Sequence, residues 1–289
     1  MVAIKVANIV FALSCDGTRP FLLREQSYRD FYCSESPDVS LDVSFKVISD
    51  FTFHEEDIVF DSGGLWRLYR ADSKVAIVLG VPLPGEIPCH VGVFDRDFKQ
   101  GKIYSCIPEP REFSENSLAN PLGYPLGEIL MISLLAQGRG LMVHACGIDD
   151  NGRGYLFAGN SAHGKSTMAR LWEDSALILN DDRIVLRRHD HRFWIYGTPW
   201  HGNYSTVSSK GTPLEKIFFL QHAESNSANR KDGASAASML LSRCFPPLWD
   251  TEGMSFTLDF CTQLVDEVPC YKLGFIPDRN VMDFVRCEK

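Results

Sequence analysis

The chain reads as an α/β protein: a mixed-sheet core built around a phosphate-binding loop, preceded by a mostly β region. Three observations lead there. Gly154 to Thr167, GYLFAGNSAHGKST, runs from a short apolar strand through a glycine-bounded loop to a helix start. Residues 1–107 consist of alternating or β-branched runs separated by Gly, Pro, Asp and Ser clusters. The turn DDNGRG then links a strand over 141–148 to the strand that feeds the loop, so these neighbours pair as a hairpin, unlike a purely parallel doubly wound sheet.

In chain order, strands are expected at 2–12, 40–47, 65–70, 74–81 and 102–106, forming an antiparallel layer that could present a substrate. The polar, proline-punctuated stretch 108–125 reads as a linker or covering loop. The segment 126–289 then reads as the nucleotide-binding domain. It opens with a helix over 126–137, with Ile129, Leu130, Ser133 and Leu134 on one face and Gly138 as its stop. After the loop, a helix over 166–173 sets Met168, Leu171 and Trp172 against the sheet. Strands follow at 177–179, 183–188 and 193–196. The Ser-, Asn- and Ala-rich stretch 221–237 reads as a mobile loop, 234–243 as a helix, and Asp278 as the N-cap of a last helix over 279–287.

Composition sets limits on function. With 29 basic and 37 acidic residues the net charge is -8, and no basic stripe is evident, which argues against a nucleic-acid partner. The nine cysteines include no C-x-x-C pair and no histidine at zinc spacing, the pattern of reduced thiols in a cytoplasmic protein. Cys270, in VPCYKLGF, reads as a core thiol. The N-terminus has one lysine and alternates at Val2, Ile4, Val6, Val10 and Ala12, so it reads as a strand and not an export leader. The helical apolar segment 129–136 is too short to cross a bilayer, so no membrane partner is expected; a homo-oligomer is compatible with the sequence.

The chemistry concentrates at Gly159, Asn160, Ser161, Ala162, His163, Gly164, Lys165, Ser166 and Thr167, which fit G-x-x-x-x-G-K-[ST]. The glycines let the backbone close around an anion, so that loop amides and the helix N-terminus point at the same phosphate oxygens. Lys165 adds a mobile positive charge, and the Ser166 hydroxyl can ligate the Mg2+ that accompanies ATP. Asp181 and Asp182 end an apolar strand 14 residues beyond Thr167. Phosphoryl transfer needs such carboxylates, one to hold the metal and another to take a hydroxyl proton. Otherwise the pair reads as a solvated turn or a partner for Arg183. His144, alone in an apolar strand, reads by spacing as a core histidine. Arg243, Arg170 and Lys216 are candidates for a second phosphate clamp, and His189, His191, His201 and His222 read as surface residues.

The order VHACGI, AGNSAHGKST, LNDDRIVL resembles the HPr kinase/phosphorylase family, whose nucleotide fold is of the phosphoenolpyruvate carboxykinase type. FWIYGTPWHG, RCFPPLWD and VPCYKLGFIPD look more like HPr-kinase-related proteins of peptide-modification gene clusters. The resemblance covers about residues 120–289 and implies an ATP- and Mg2+-dependent kinase acting on a hydroxyl, a serine of a peptide or small protein. It places His144 beside the phosphates as a catalytic residue with Lys165, Asp181 and Asp182, and makes Ser166, Asp181 and Asp182 the metal-linked groups. Two departures stand out. Thr167 replaces the glutamate that follows the family's loop serine, and GTPWHGNYS has Asn203 where an acid is expected. Both argue against the carrier protein HPr as substrate and against reverse phosphorolysis. A small-molecule kinase, a carboxykinase-like enzyme and a non-catalytic ATP-binding component of peptide maturation are the competing readings.

Overall fold

The alternating apolar residues at the N-terminus build two strands where one is expected. In the computed structural model, which describes residues 1–15, 26–45, 48, 51–80, 90–105, 120–160 and 162–288, β1 (Val2–Val6) and β2 (Ile9–Cys15) form a tight hairpin. Ala7 and Asn8 both have positive φ, 49° and 59°, the geometry of a two-residue hairpin turn. The expected single strand therefore folds back on itself at Asn8.

The chain divides into two compact units, Met1–Leu134 and Leu135–Lys289. The first holds an eight-stranded sheet among the described residues, in the order β1-β2-β3-β8-β7-β6-β5-β4. Its other strands are β3 (Val39–Ser44), β4 (Ile58–Asp61), β5 (Trp66–Ala71), β6 (Lys74–Leu79), β7 (His90–Asp95) and β8 (Gln100–Ser105). The expectation of a purely antiparallel layer is corrected, because β3 runs parallel to both β2 and β8. Each of those pairings closes over a long connection, which removes the need for hairpin geometry. The short β4 and β7 are also absent from the sequence reading. Gly92 interrupts the apolar alternation of β7, and the Phe94 ring fills the gap, 2.6 Å from where a Cβ would sit. Helix α1 (Leu126–Leu135) has its expected apolar face buried, and the Ser133 hydroxyl donates to the Ile129 carbonyl at 2.9 Å. Most of the expected linker, residues 106–119, lies outside the described residues.

The second unit is a mixed sheet covered by helices on both faces. Strands β9 (Leu141–Asp150) and β10 (Arg153–Ala158) form the anticipated antiparallel hairpin, with Asn151 and Gly152 at positive φ in its turn. The long strand β14 (Gly211–His222) lies parallel to β10 on one side and to β16 (Cys270–Phe275) on the other. Strand β15 (Ser227–Lys231) pairs with the outer edge of β16. This overturns the expected mobile loop over 221–237: polar side chains there mark an edge strand, whose outer side must stay solvated.

Alternation along β10 feeds two cores. Leu156 and Ala158 join Ala236 and Leu240 of α3 (Gly233–Leu241) and Phe260, Cys261 and Leu264 of α4 (Thr251–Glu267). Tyr155 and Phe157 pack instead with Met168, Ala169 and Trp172 of α2 (Lys165–Trp172) and with Val281 and Val285 of α5 (Asn280–Cys287). Met168 and Trp172 are thus core, as expected, and Leu171 packs beside them. Helix α4 is missing from the sequence reading although its signals are present: Asp250 caps it through the Glu252 and Gly253 amides, and its buried positions recur at helical spacing. The Asp278 carboxylate accepts from the Asn280 amide at 2.9 Å, while the N-cap position itself falls to Arg279. Among the described residues, no helix is long and apolar enough to cross a membrane.

The outer layer is fastened by a buried charge. Asp150 is fully buried and accepts from Arg286 at 2.9 and 3.1 Å and from Arg153 at 3.0 Å. The Arg286 hydrogen bond, opposed by burial, holds the carboxyl below its ordinary range. The Arg286 guanidinium also lies over the Trp172 ring at 4.9 Å. Asp150→Asn should cost about 2 kcal/mol in urea unfolding at neutral pH, since charged hydrogen bonds are lost. Because the folded-state pKa is depressed, that deficit should be full above about pH 4 and shrink as the pH falls below it. A deficit that does not change with pH would show that the charge is not responsible.

Candidate functional site

The site forms where β9 changes neighbours. On one side β9 pairs with β10, and the loop leaves β10 immediately after Ala158, opposite Ala145. On the other side it pairs first with β12 (Arg183–His189) over 141–144 and then with β11 (Leu177–Asn180) over 147–149. Asp181 and Asp182 lie in the break between β11 and β12. A ladder bond from the Ala145 amide to the Asp182 carbonyl, 3.2 Å, holds the break against β9. His144, at the same level, is therefore flanked by the loop and the aspartate turn.

A cavity of about 540 Å³ opens there. Its lining includes His144, Ala162, Gly164, Lys165, Ser166, Thr167, Asp181, Asp182, Arg183, Gly202, Asn203 and Phe245. Most of the residues singled out from sequence thus meet in one place. Gly159, Asn160 and His163 do not line the cavity, and Ser161 lies outside the described residues.

The loop is held by its own lysine. Lys165 is 7% exposed and donates to the Gly159 and Asn160 carbonyls at 3.0 and 3.1 Å. Burial lowers its pKa, against the opposing pull of Asp182 and Asp181. Gly164 precedes α2 with φ 95°, a left-handed conformation that suits glycine, and the Phe275 ring closes the space its side chain would need. The His163 ring is not part of the cavity lining and lies 6.3 Å from the ring of His222. Burial, helped by Arg243 and His222, lowers its pKa, so the ring is neutral at pH 7. The four surface histidines are exposed as expected, and the His222 ring contacts the Ala162 carbonyl at 2.8 Å.

The two aspartates have different surroundings. Asp181 is 1% exposed and accepts from the Ser166 hydroxyl at 2.6 Å, the Gly202 amide at 2.9 Å and the Tyr204 amide at 3.1 Å. Asp182 faces the cavity, with Oδ1 2.6 Å from His144 Nε2 and Oδ2 bonded to the Arg183 guanidinium. Burial would raise the Asp182 pKa, but His144, Arg183 and Lys165 outweigh it and keep the carboxylate below its ordinary range. Arg183 in turn lies over the Phe245 ring at 4.4 Å.

Several of these residues have no role in the sequence reading. Phe245 is visible there only as part of RCFPPLWD, and Gly202 and Tyr204 act through backbone amides, which carry no sequence signature. Gly202 is the one with a steric reason for its identity, since a Cβ there would lie 3.1 Å from that of Asp182. The suggested second clamp is not assembled. Lys216 donates to the Val285 and Glu288 carbonyls, Arg170 is exposed, and Arg243 stacks over Phe219 while bonding to the Met239 carbonyl. Among the described residues, no cluster of three or more His, Cys, Asp or Glu side chains could hold a metal by itself.

No family model and no curated protein matches the chain. Among solved structures it is similar to the HPr(Ser) kinase/phosphatase from Coxiella burnetii. The match has 12% sequence identity and a TM-score of 0.31, over 50% of this chain and 85% of that one. A likeness of that size assigns no residue its role.

The Asp181 arrangement has a direct test. Asp181→Asn would place an amide NH2 against donors that the carboxylate now accepts, at a cost of about 1–3 kcal/mol for the buried mismatch. The variant should unfold at lower urea, and hydrogen exchange should speed up at Gly202 or Tyr204, whichever amide the new NH2 opposes. Unchanged exchange at both amides would contradict the arrangement.

Proposed function

We propose that the second unit is an ATP- and Mg2+-dependent kinase that phosphorylates a hydroxyl group. One observation carries this reading: a single cavity sets Lys165 and Ser166 of the glycine-bounded loop directly against the Asp181–Asp182 pair. A lone polyphosphate would be repelled by the two carboxylates, and a lone cation by the lysine. A polyphosphate carrying Mg2+ matches both walls. Mg2+ is commonly held by one or two carboxylates together with substrate phosphates, which suits a site with no all-protein metal cage among the described residues.

The residues divide the work as follows. Loop amides between Ala162 and Thr167, together with Lys165, hold the phosphates. Ser166 and Asp181 are the metal-linked pair, since their 2.6 Å contact keeps both oxygens at one point. Mg-ATP, when bound, would supply the phosphoryl group, and Lys165 would offset part of its charge during in-line transfer. Asp182 is the general base: it is ionised at neutral pH, faces the cavity and is oriented by His144 and Arg183, so it can accept the proton of an acceptor hydroxyl. The acceptor is a serine of a peptide or small protein, a choice that rests on the sequence resemblance alone. The first unit would present it.

Lys165→Ala and Asp182→Asn should each abolish transfer from γ-labelled ATP to peptide and metabolite pools. The loss for Asp182→Asn should be about 100-fold or more, the usual contribution of a positioned base. Cys270→Ser should retain activity, because burial pushes that thiol up to about 12 and removes it from nucleophilic chemistry. Full activity in either of the first two variants would refute the assignment. Label appearing only in a metabolite would replace the peptide acceptor with a small molecule.

A further inference from the structure

We infer that Asn180 is a positioning residue that sets the aspartate pair from two directions at once; this rests on the kinase reading above. Asn180 is the last residue of β11 and is fully buried. Its side-chain carbonyl accepts from the backbone amides of Asp182 and Arg183, at 2.7 and 2.9 Å, and so shapes the turn that carries both aspartates. Its NH2 group donates to the Thr198 and Trp200 carbonyls, at 2.9 and 3.0 Å. Both donors and both acceptor sites of the amide are thus used. The opposite amide orientation would set NH2 against two N–H groups and oxygen against two carbonyls, so the chemistry fixes the assignment.

The second pair of bonds reaches the site by another route. The segment after Trp200 supplies the Gly202 and Tyr204 amides that hold Asp181. Thr198 fastens the same segment back to the turn, its hydroxyl donating to the Arg183 carbonyl at 2.8 Å. Through its carbonyl, then, Asn180 orients the backbone of Asp182, the proposed base. Through its NH2 it fixes the strap that sets Asp181, the metal-linked carboxylate. Among the described residues, Asn180 makes no hydrogen bond to the phosphate loop itself. Loss of Asn180 should therefore separate phosphate binding from metal use and transfer, which a residue of merely structural importance would not do.

The test compares wild type, Asn180→Asp and Asn180→Ser. Asn180→Asp keeps the acceptor for the two amides but opposes an oxygen to the two carbonyls. Asn180→Ser is too short to reach the strap. ATP affinity in EDTA should stay near wild type in both. The half-saturating Mg2+ concentration should rise and kcat fall, each by about 10- to 100-fold, the usual effect of removing a group that orients metal ligands. A folded variant with unchanged kcat and Mg2+ dependence would overturn the inference, and so would equal losses of metal-free ATP binding and kcat. Should melting show that neither variant folds, Thr198→Val is expected to shift Mg2+ dependence and kcat in the same direction, and its failure to do so would overturn the inference equally. A wild-type protein whose ATP binding is not tightened by Mg2+ would instead sink the kinase reading, independently of any variant.

Discussion

The site depends on one constraint, the change of partner along β9. A strand can accept only one neighbour per edge at a given residue, yet β9 has β12 along its first half and β11 along its second. The chain joining those neighbours must leave the ladder between them, and the residues in that break are Asp181 and Asp182. Their backbone keeps a single bond to the ladder, from the Ala145 amide to the Asp182 carbonyl, while their flanks stay anchored. Two carboxylates can therefore lean into a cavity without a flexible loop to carry them. The hairpin partner β10 ends at the same level, which brings the glycine-bounded loop to the opposite side of His144.

That arrangement also explains why adjacent residues differ so much. Asp181 lies in the cavity wall, almost fully buried, and accepts from donors of α2 and of the segment after Trp200. Asp182 points along the cavity, where a histidine and an arginine oppose its desolvation. Burial alone would tend to neutralise Asp182. At Asp182 it is this supply of donors that keeps a charged carboxylate tenable.

Much of this is legible in the sequence, for local reasons. The loop, the hairpin before it and the acidic strand end are short patterns whose physics is contained within a few residues. The places where reading fails involve distant partners. The polar stretch 221–237 looks like a loop because nothing local reveals that β16 offers it an edge. The parallel pairings of β3 depend on strands brought in across long connections. At the site, Asn180 sits beside the aspartates in sequence, but the carbonyls of Thr198 and Trp200 that complete its hydrogen bonding are about twenty residues away. The cap at Asp250 is the exception, a short-range signal that the sequence carries in full.

The two bonds from Lys165 to the loop's own carbonyls have a thermodynamic corollary. They fix the Gly159 and Asn160 carbonyls in place, so on the proposed reading little conformational entropy would remain to be lost there when a phosphate arrives. The same ammonium would then exchange carbonyl oxygens for phosphate oxygens, which would offset part of the electrostatic gain. In the proposed kinase, a loop built this way would trade tightness of grip for readiness, a balance suited to a nucleotide that has to leave after each turnover.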